Sequence, residues 1–565
     1  MRRLLPPLLR PPLAAAFVLF LTGTAALLPT RGQNLSDASG FTVAGSVVNA
    51  ATGQSIARAE VILDNDRAQL TAGDGTFSFD RVPSGTISLS IRKPGYLGFG
   101  GAGMGGRGFA GGGLHNAGSG APSGPPRLIV VGPQMPSLTF QLTPLAAITG
   151  HLILSTADPA DHIRITLFRR AFQNGRSRWS IAAATRSRSD GSWRVANLAP
   201  GRYMVLASAS VQGPNDPENS QVPVFGFPAL YYPGVTDIGS AGVLILKPGQ
   251  QAQADMTLVR QRFFPVTIVV RGMPDTPTSF EIMDAGGRPT ELPVHFDLRS
   301  QTAHANVPGG SWILIARAFG ATMRFGNADF QVAGAPVSVA VAVGPVPPIP
   351  VTFHRDFTAS ADGSQPPAAG PGVNLFLVSA DDFSTFGFGG GLSSDNNQDW
   401  EINVSSPGRY WVQAQPFPPA YISSITTGGT DLATTPLTVI PGSPPSPIEI
   451  TLRNDGGTIA GKVDSSSSGA AGGAGEQPQV WIYAIPLFPT TGELPEARLQ
   501  ENSQFSFANL PPGSYRVVAC DASQEIDFHS PEGLAAWSGK GQVVSVDPNG
   551  TANAELTVIH GDFSE

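Results

Sequence analysis

The chain has a single cysteine, Cys520, among 565 residues. No disulfide framework can form within it, and no lipid-bearing cysteine stands near its start. Cys520 closes an alternating strand pattern and is expected to be a half-buried, unreactive thiol. Charge is scarce as well: Asp, Glu, Lys and Arg make up 14% of the chain, against about 25% in ordinary domains. The formal net charge is −7 and no basic block occurs, which argues against a nucleic-acid partner. No convincing long helical period appears, and beyond residue 28 there is no long apolar run that would span a membrane.

Turn chemistry is abundant instead. The 67 glycines and 52 prolines exceed average usage without reaching the level of a disordered chain, and 41% apolar residues suffice for several cores. Many turns and few charges suit β-structure better than solvated helices. At the start, Arg2, Arg3 and Arg10 precede an uncharged apolar run from Leu13 to Leu28. This reads as a signal peptide within residues 1–32, cleaved after Ala26 or Gly32, with an uncleaved anchor as the alternative. The expected location is therefore the periplasm, the cell surface or the extracellular space, with no membrane span once the leader is removed.

One sentence is written five times: "GDGTFSFDRVPSGTISLSI" from Gly73, "SDGSWRVANLAPGRYMVLA" from Ser189, "SQTAHANVPGGSWILIA" from Ser300, "NQDWEINVSSPGRYWVQA" from Asn397 and "NSQFSFANLPPGSYRVVA" from Asn502. In four copies an aromatic stands eight residues before a glycine: Phe77 and Gly85, Trp193 and Gly201, Trp400 and Gly408, Phe505 and Gly513. The third keeps Gly310 but has Thr302 in place of the aromatic. Two residues after the glycine comes Ile87, Tyr203, Trp312, Tyr410 or Tyr515. The glycines recur every 100 to 115 residues or so, about one β-sandwich domain.

The pattern predicts a hairpin. Asp74-Gly75 and Asp190-Gly191 favour tight turns. Trp193 and Val195 alternate with Ser192 and Arg194, the period of a half-buried strand. A Pro-Gly-type turn follows, then a second alternating strand with Tyr203, Val205 and Ala207 on one face. The aromatics are expected in the cores. With seam strands such as "SLTFQLTPLAAITGHLIL" and "IPVTFHRDFTASAD", this predicts an all-β chain of five tandem antiparallel β-sandwich domains in an elongated arrangement. Their expected ranges are 40–143, 144–260, 261–354, 355–453 and 454–560. Glycine-rich insertions are expected at 98–126 and, shorter, at 465–478.

Residues Val43 to Tyr96, with G-x-V, D-G-x-F, P-x-G-x-I and a closing K-x-G-Y, resemble the carboxypeptidase regulatory-like domain. The second and fifth domains resemble it more loosely, the third and fourth only at the repeated turn and the end strand. The resemblance implies a transthyretin-like sandwich of the carbohydrate-binding-like class, strung in tandem as in large exported bacterial proteins. It does not imply peptidase activity. The residues agree: "HSPE", His529 to Glu532, contains Pro531, which disfavours the geometry of a zinc pair. His115, His151, His162, His295, His304, His354 and His560 have no ligand spacing. No G-x-S-x-G elbow occurs, and the acidic runs at Asp64 and Asp381 lack calcium-loop spacing. No catalytic group, metal or cofactor is expected.

The remaining readings are binding and spacing. A sugar's apolar face packs on an exposed aromatic ring. Trp411, next to the inward Tyr410, should point outward, and Tyr231 and Tyr232 sit in the loop-like "ALYYPGVTD". These three are the candidate ligand-binding residues, for a polysaccharide or another surface polymer. The alternative is a structural or adhesive spacer that contacts envelope proteins, its outward aromatics packing on neighbouring domains.

Overall fold

The computed structural model describes residues 40–99, 123–124 and 127–559, with breaks at 134, 136, 174, 209, 213–222, 273–277, 289, 291, 320–323, 359–371, 383–387, 395–398, 405, 441, 444, 465–479, 500–502 and 522. The leader, most of the run 98–126 and the run 465–478 lie outside the described residues. Strands dominate. Among the described residues the helices are Pro531–Ala536 and a single 3₁₀ turn, Ile238–Ser240.

Among the described residues five large hydrophobic cores form, beside two smaller clusters, and each large one is built by the same connectivity. We treat each core with its layers as one unit. Every unit opens with a central strand: Phe41–Asn49, Ala146–Leu154, Gln261–Arg271, Ile349–Asp356 or Gly457–Val463. That strand pairs antiparallel with the first arm of the repeated sentence, which is Thr76–Val82, Ser192–Leu198, Thr302–Pro308, Trp400–Val404 or Gln504–Leu510. It pairs parallel with the strand that closes the unit. The second arm, starting at Gly85, Gly201, Gly310, Gly408 or Gly513, pairs with a different strand: Glu60–Leu63, Arg164–Gln173, Thr278–Asp284, Val373–Ser379 or Trp481–Pro486. The third and fourth units, weakest in sequence resemblance, follow the same plan.

The two arms are therefore not a hairpin. Among the described residues they do not pair with each other in any unit. In the second, third and fifth units the turn is a corner that carries the chain from one sheet to another; in the first and fourth the two arms occupy separated places in one continuous sheet. The glycines at these turns have φ of +136°, +144°, +149°, +149° and +154° in chain order, a region closed to L side chains. The aromatic two residues later staples the turn. The hydroxyls of Tyr203, Tyr410 and Tyr515 donate to the carbonyls of Ala199, Ser406 and Pro511, each at 2.7 Å, and Trp312 Nε1 donates to Pro308 at 3.1 Å. These rings bury their bodies and still satisfy their polar tips.

The first aromatic of the sentence has a fixed partner. Phe77, Trp193 and Phe505 lie directly opposite Gly45, Gly150 and Gly461 of the opening strand. A Cβ on those glycines would stand 2.8, 2.6 and 2.5 Å from the ring. In the third unit Thr302 faces Val269, and both lie off the core face. The opening strand has no register shift there, so the core-facing pair is one residue on, Ala303 opposite Ile268, with the bulk on the other strand. In the fourth unit Trp400 faces Val351 and is half-buried, edge-on to Phe353.

Two expectations need correction. The strand Ile349–Asp356 belongs to the fourth unit, because Ile349 and Val351 are buried in its core; the third core ends at Val343, so the seam precedes residue 349. Cys520 is fully buried, not half-buried. The second arm of the fifth unit is covered on both faces, its outer one by Ile526, Phe528 and Trp537.

Candidate functional site

Trp411 lies between buried Tyr410 and Val412 on Gly408–Pro416, and the alternation of that strand aims its ring away from the fourth core. The ring is nevertheless covered. The Arg176 guanidinium sits 3.4 Å from its centroid. Arg176 begins the strand Arg176–Arg186 of the second unit, which forms a long hairpin with Arg164–Gln173. Its Nη2 donates to the Ala433 carbonyl at 3.3 Å. Arg178 Nη2 donates to the Asp381 carbonyl at 3.3 Å, and the Trp179 N–H donates to Asp382 Oδ1 at 3.0 Å across 203 residues of sequence. Gly175, at φ +70°, packs so closely on Phe528 of the fifth unit that a Cβ would overlap the ring.

The hairpin tip thus meets two other units at once. Around it lies a cleft lined by Arg176, Arg178, Asp382, Trp411, Gln413 and His529, among others. Burial pushes the Arg176 guanidinium down to about 10, with the Asp527 carboxylate pulling the other way. Asp381 is held in turn by Arg409, whose Nε and Nη2 donate to Oδ1 at 2.8 and 2.5 Å.

Tyr231 is not in an exposed loop. It forms the short strand Leu230–Tyr231 against Leu206 and is 1% exposed, in a small core with Phe168, Trp179, Met204 and Leu206. Burial pushes its phenol up. Its ring is also roofed by an arginine, Arg288 of the third unit, 4.6 Å from the centroid. Arg288 is itself buried and paired with Asp284 at 2.8 Å. Tyr232 is half-buried against the second core, and its N–H donates to the Val205 carbonyl at 2.9 Å. The structure therefore does not bring the three candidate residues into one site. Trp411 and Tyr231 lie at two different joints.

The joints themselves are built. Val224–Phe227 of the second unit adds a strand to the opening strand of the third. Between the fourth and fifth, the buried Asp455 carboxylate accepts from Tyr421 OH at 2.8 Å and from Arg453 Nη2 at 2.5 Å, and the Asp455 carbonyl accepts from the Asn549 N–H. The Ala414 N–H donates to the Thr491 carbonyl at 3.3 Å, and Gln415 Nε2 donates to Glu493 Oε1 at 2.6 Å.

The sequence reading overlooked Arg176 and Arg288. The signal for the first was present in the sequence: Asn-Gly at 174–175 between two alternating, arginine-rich runs is a pattern that favours a hairpin. Arg288 follows Gly286-Gly287 with no comparable mark. "HSPE" has a structural use: Ser530 caps the helix by accepting from the Gly533 N–H at 3.0 Å, Pro531 takes the first position, and the His529 ring lies against Phe528. Among the described residues no group of three or more His, Cys, Asp or Glu is placed to hold a metal ion.

Fold and joints together define a tandem β-sandwich protein whose units share one strand plan. The model of the carboxypeptidase regulatory-like domain matches residues 42–101, within the first unit. No curated protein matches the chain. Among solved structures it is similar to the TIE protein of Bacillus anthracis, at 9% identity over 92% of this chain and 68% of that one, with a TM-score of 0.15. It is also similar to the shaft pilin SpaA of Lactobacillus rhamnosus GG, at 9% identity over 36% and 100% of the two chains, TM-score 0.13. The minor pilin GBS52 of Streptococcus agalactiae gives 9% identity over 36% and 97%, TM-score 0.17. Among the described residues no helix is long and apolar enough to cross a membrane.

Proposed function

We propose that this chain is an exported, non-catalytic scaffold protein of the bacterial envelope, acting in the periplasm, at the cell surface or outside the cell through protein–protein contacts. The observation that supports this reading is the use made of the candidate sugar platforms. Trp411 and Tyr231 are each roofed by an arginine of another unit, Arg176 and Arg288. A sugar needs an open ring face. A desolvated guanidinium on an aromatic face contributes up to about 2 kcal/mol, so these rings fix units to one another. The N-terminal arginines followed by an apolar run support export.

Contact with polysaccharide is the competing reading, and a pull-down on soluble and insoluble glycans tests both. The scaffold reading expects wild type, Trp411→Ala and Tyr232→Ala to behave alike on every glycan. Strong retention on one glycan, lost in Trp411→Ala with an unchanged thermal melt, would overturn it in favour of a sugar-binding protein.

A further inference from the structure

The joints divide the last four units into two halves. The second and third share a sheet through Val224–Phe227 and are pinned by Arg288 on Tyr231. The fourth and fifth are pinned by Asp455 with Tyr421 and Arg453, and by Ala414 to Thr491. The halves are joined in sequence by the irregular residues 346–348, Val-Pro-Pro, between the strands Gly344–Pro345 and Ile349–Asp356. Prolines there have no N–H to add to a ladder.

Away from that link the halves meet at the hairpin of the second unit, and Arg317 of the third unit lies near enough to Tyr410 of the fourth to act on it electrostatically. Its side of the contact is Gly175, Arg176, Arg178 and the Trp179 N–H. The receiving side is the Trp411 ring, the Asp381 and Ala433 carbonyls, the Asp382 carboxylate and the Phe528 ring. Among the described residues the contact includes a guanidinium on a ring, three hydrogen bonds, a glycine against a ring, and Arg178 beside the carboxylates of Asp382 and Asp381. It is not an interdigitated aliphatic core of the kind that holds each unit. Such a contact can separate without unfolding either side, and both sides are present in every copy of the chain.

We propose that the face made by the fourth and fifth units is a receptor for this arginine-bearing hairpin, and that a second copy of the chain supplies the hairpin whenever the cis one is withdrawn. Two chains are then joined by exchange, with no contact that the single chain does not already make. Reciprocal exchange gives a closed pair; one-sided exchange gives an open series. Tethering makes the cis contact compete at an effective concentration on the order of millimolar, so the unmodified chain is monomeric when dilute.

Two full-chain variants remove that competition. Arg176→Ala/Arg178→Ala disables the hairpin and leaves the receptor vacant. Trp411→Ala/Asp382→Ala disables the receptor and leaves the hairpin free. By light scattering after size exclusion, at micromolar concentration, each variant alone runs as a monomer and their mixture runs at twice the monomer mass. Gly175→Val, which drives a side chain into the Phe528 ring and leaves every charge in place, substitutes for the first variant with the same result. A mixture that stays monomeric while thermal melts show both variants folded overturns the proposal. So does a hairpin-disabled variant that dimerises alone as strongly as the mixture, because another surface would then be responsible. Neither outcome depends on whether any glycan binds.

Discussion

The pairing of a large aromatic with a glycine on the opening strand makes a prediction that single substitutions cannot reach. In the second unit Trp193 is 3% exposed and stands over Gly150. In the third unit the core-facing pair is Ala303 and Ile268. Replacing Trp193 by Ala alone should cost about 3 to 5 kcal/mol, the range for truncating a buried Trp. The lower end is expected, because Trp193 Nε1 is buried with no hydrogen-bond partner and its removal relieves that cost. Replacing Gly150 by Ile alone should cost about 3 kcal/mol or more, the upper end for overpacking, since a Cβ there meets the Trp193 ring at 2.6 Å and overlaps the Ala254 carbonyl as well. The double variant installs the third unit's solution, with the bulk on the other strand. It should be less destabilised than the sum by about 1 to 3 kcal/mol. Hydrogen exchange of the intact chain, followed by mass spectrometry across Ala146–Leu154, reads the stability of this unit alone in a chain whose global unfolding is not two-state. Additive costs within about 0.5 kcal/mol would refute the claim that the two positions form one packing element.

Three further outcomes follow from the same geometry. Tyr515→Phe keeps the ring and removes the bond to Pro511, and should lower the fifth unit's stability by about 0.5–1.5 kcal/mol in the same assay; no change would mean the corner needs no staple. Gly201→Val, at φ +144°, should lower the melting temperature of the intact chain, and an unchanged melt would show that the corner can relax. The Cys520 thiol is pushed up to about 12, first by burial and then by Asp521, so it should resist iodoacetamide at pH 8 until the chain is unfolded; its contribution to stability is intact below the unfolded thiol's value near 8.5 and is lost as pH climbs toward about 12.

Faces were legible in the sequence and layers were not. The alternation of Trp193 with Val195, and of Tyr203 with Val205, shows which residues turn inward, and all four are buried. The same alternation is compatible with a hairpin in one sheet and with a corner between two. What decides is the partner of each arm, and those partners, such as Ala146–Leu154 and Arg164–Gln173 in the second unit, are specified by long-range packing. The shared bulge was partly visible. In the first, second and fifth units the opening strand shifts register opposite Arg81, Asn197 or Asn509, each near φ +57°. Asn is tolerated there, and two of the three copies have it.

The candidate site shows the same limit at a larger scale. Trp411 could be assigned outward because its neighbours Tyr410 and Val412 must be inward, a local argument that needs only one strand. What covers it could not, because Arg176 comes from a unit whose own core gives no sign of where the fourth unit lies. Tyr231 failed for a different reason. The second arm Gly201–Ala207 is buried on both faces, and an outward residue such as Met204 or Leu206 that is apolar where a half-exposed strand would be polar fits a second cover. The run "YMVLA" carries that pattern, as "YRVVAC" does in the fifth unit, where Val518 and Cys520 lie under Phe528 and Trp537. The third unit's arm has such a run too, "WILIA" from Trp312 to Ala316, with Ile313 and Ile315 half-buried, so the run alone does not mark a roof; the structure shows the roof on the second and fifth units. The hairpin tip of one of them is wedged against the Phe528 of the other's roof, so the doubly covered strands mark the places where this chain makes contacts between units and not only within them.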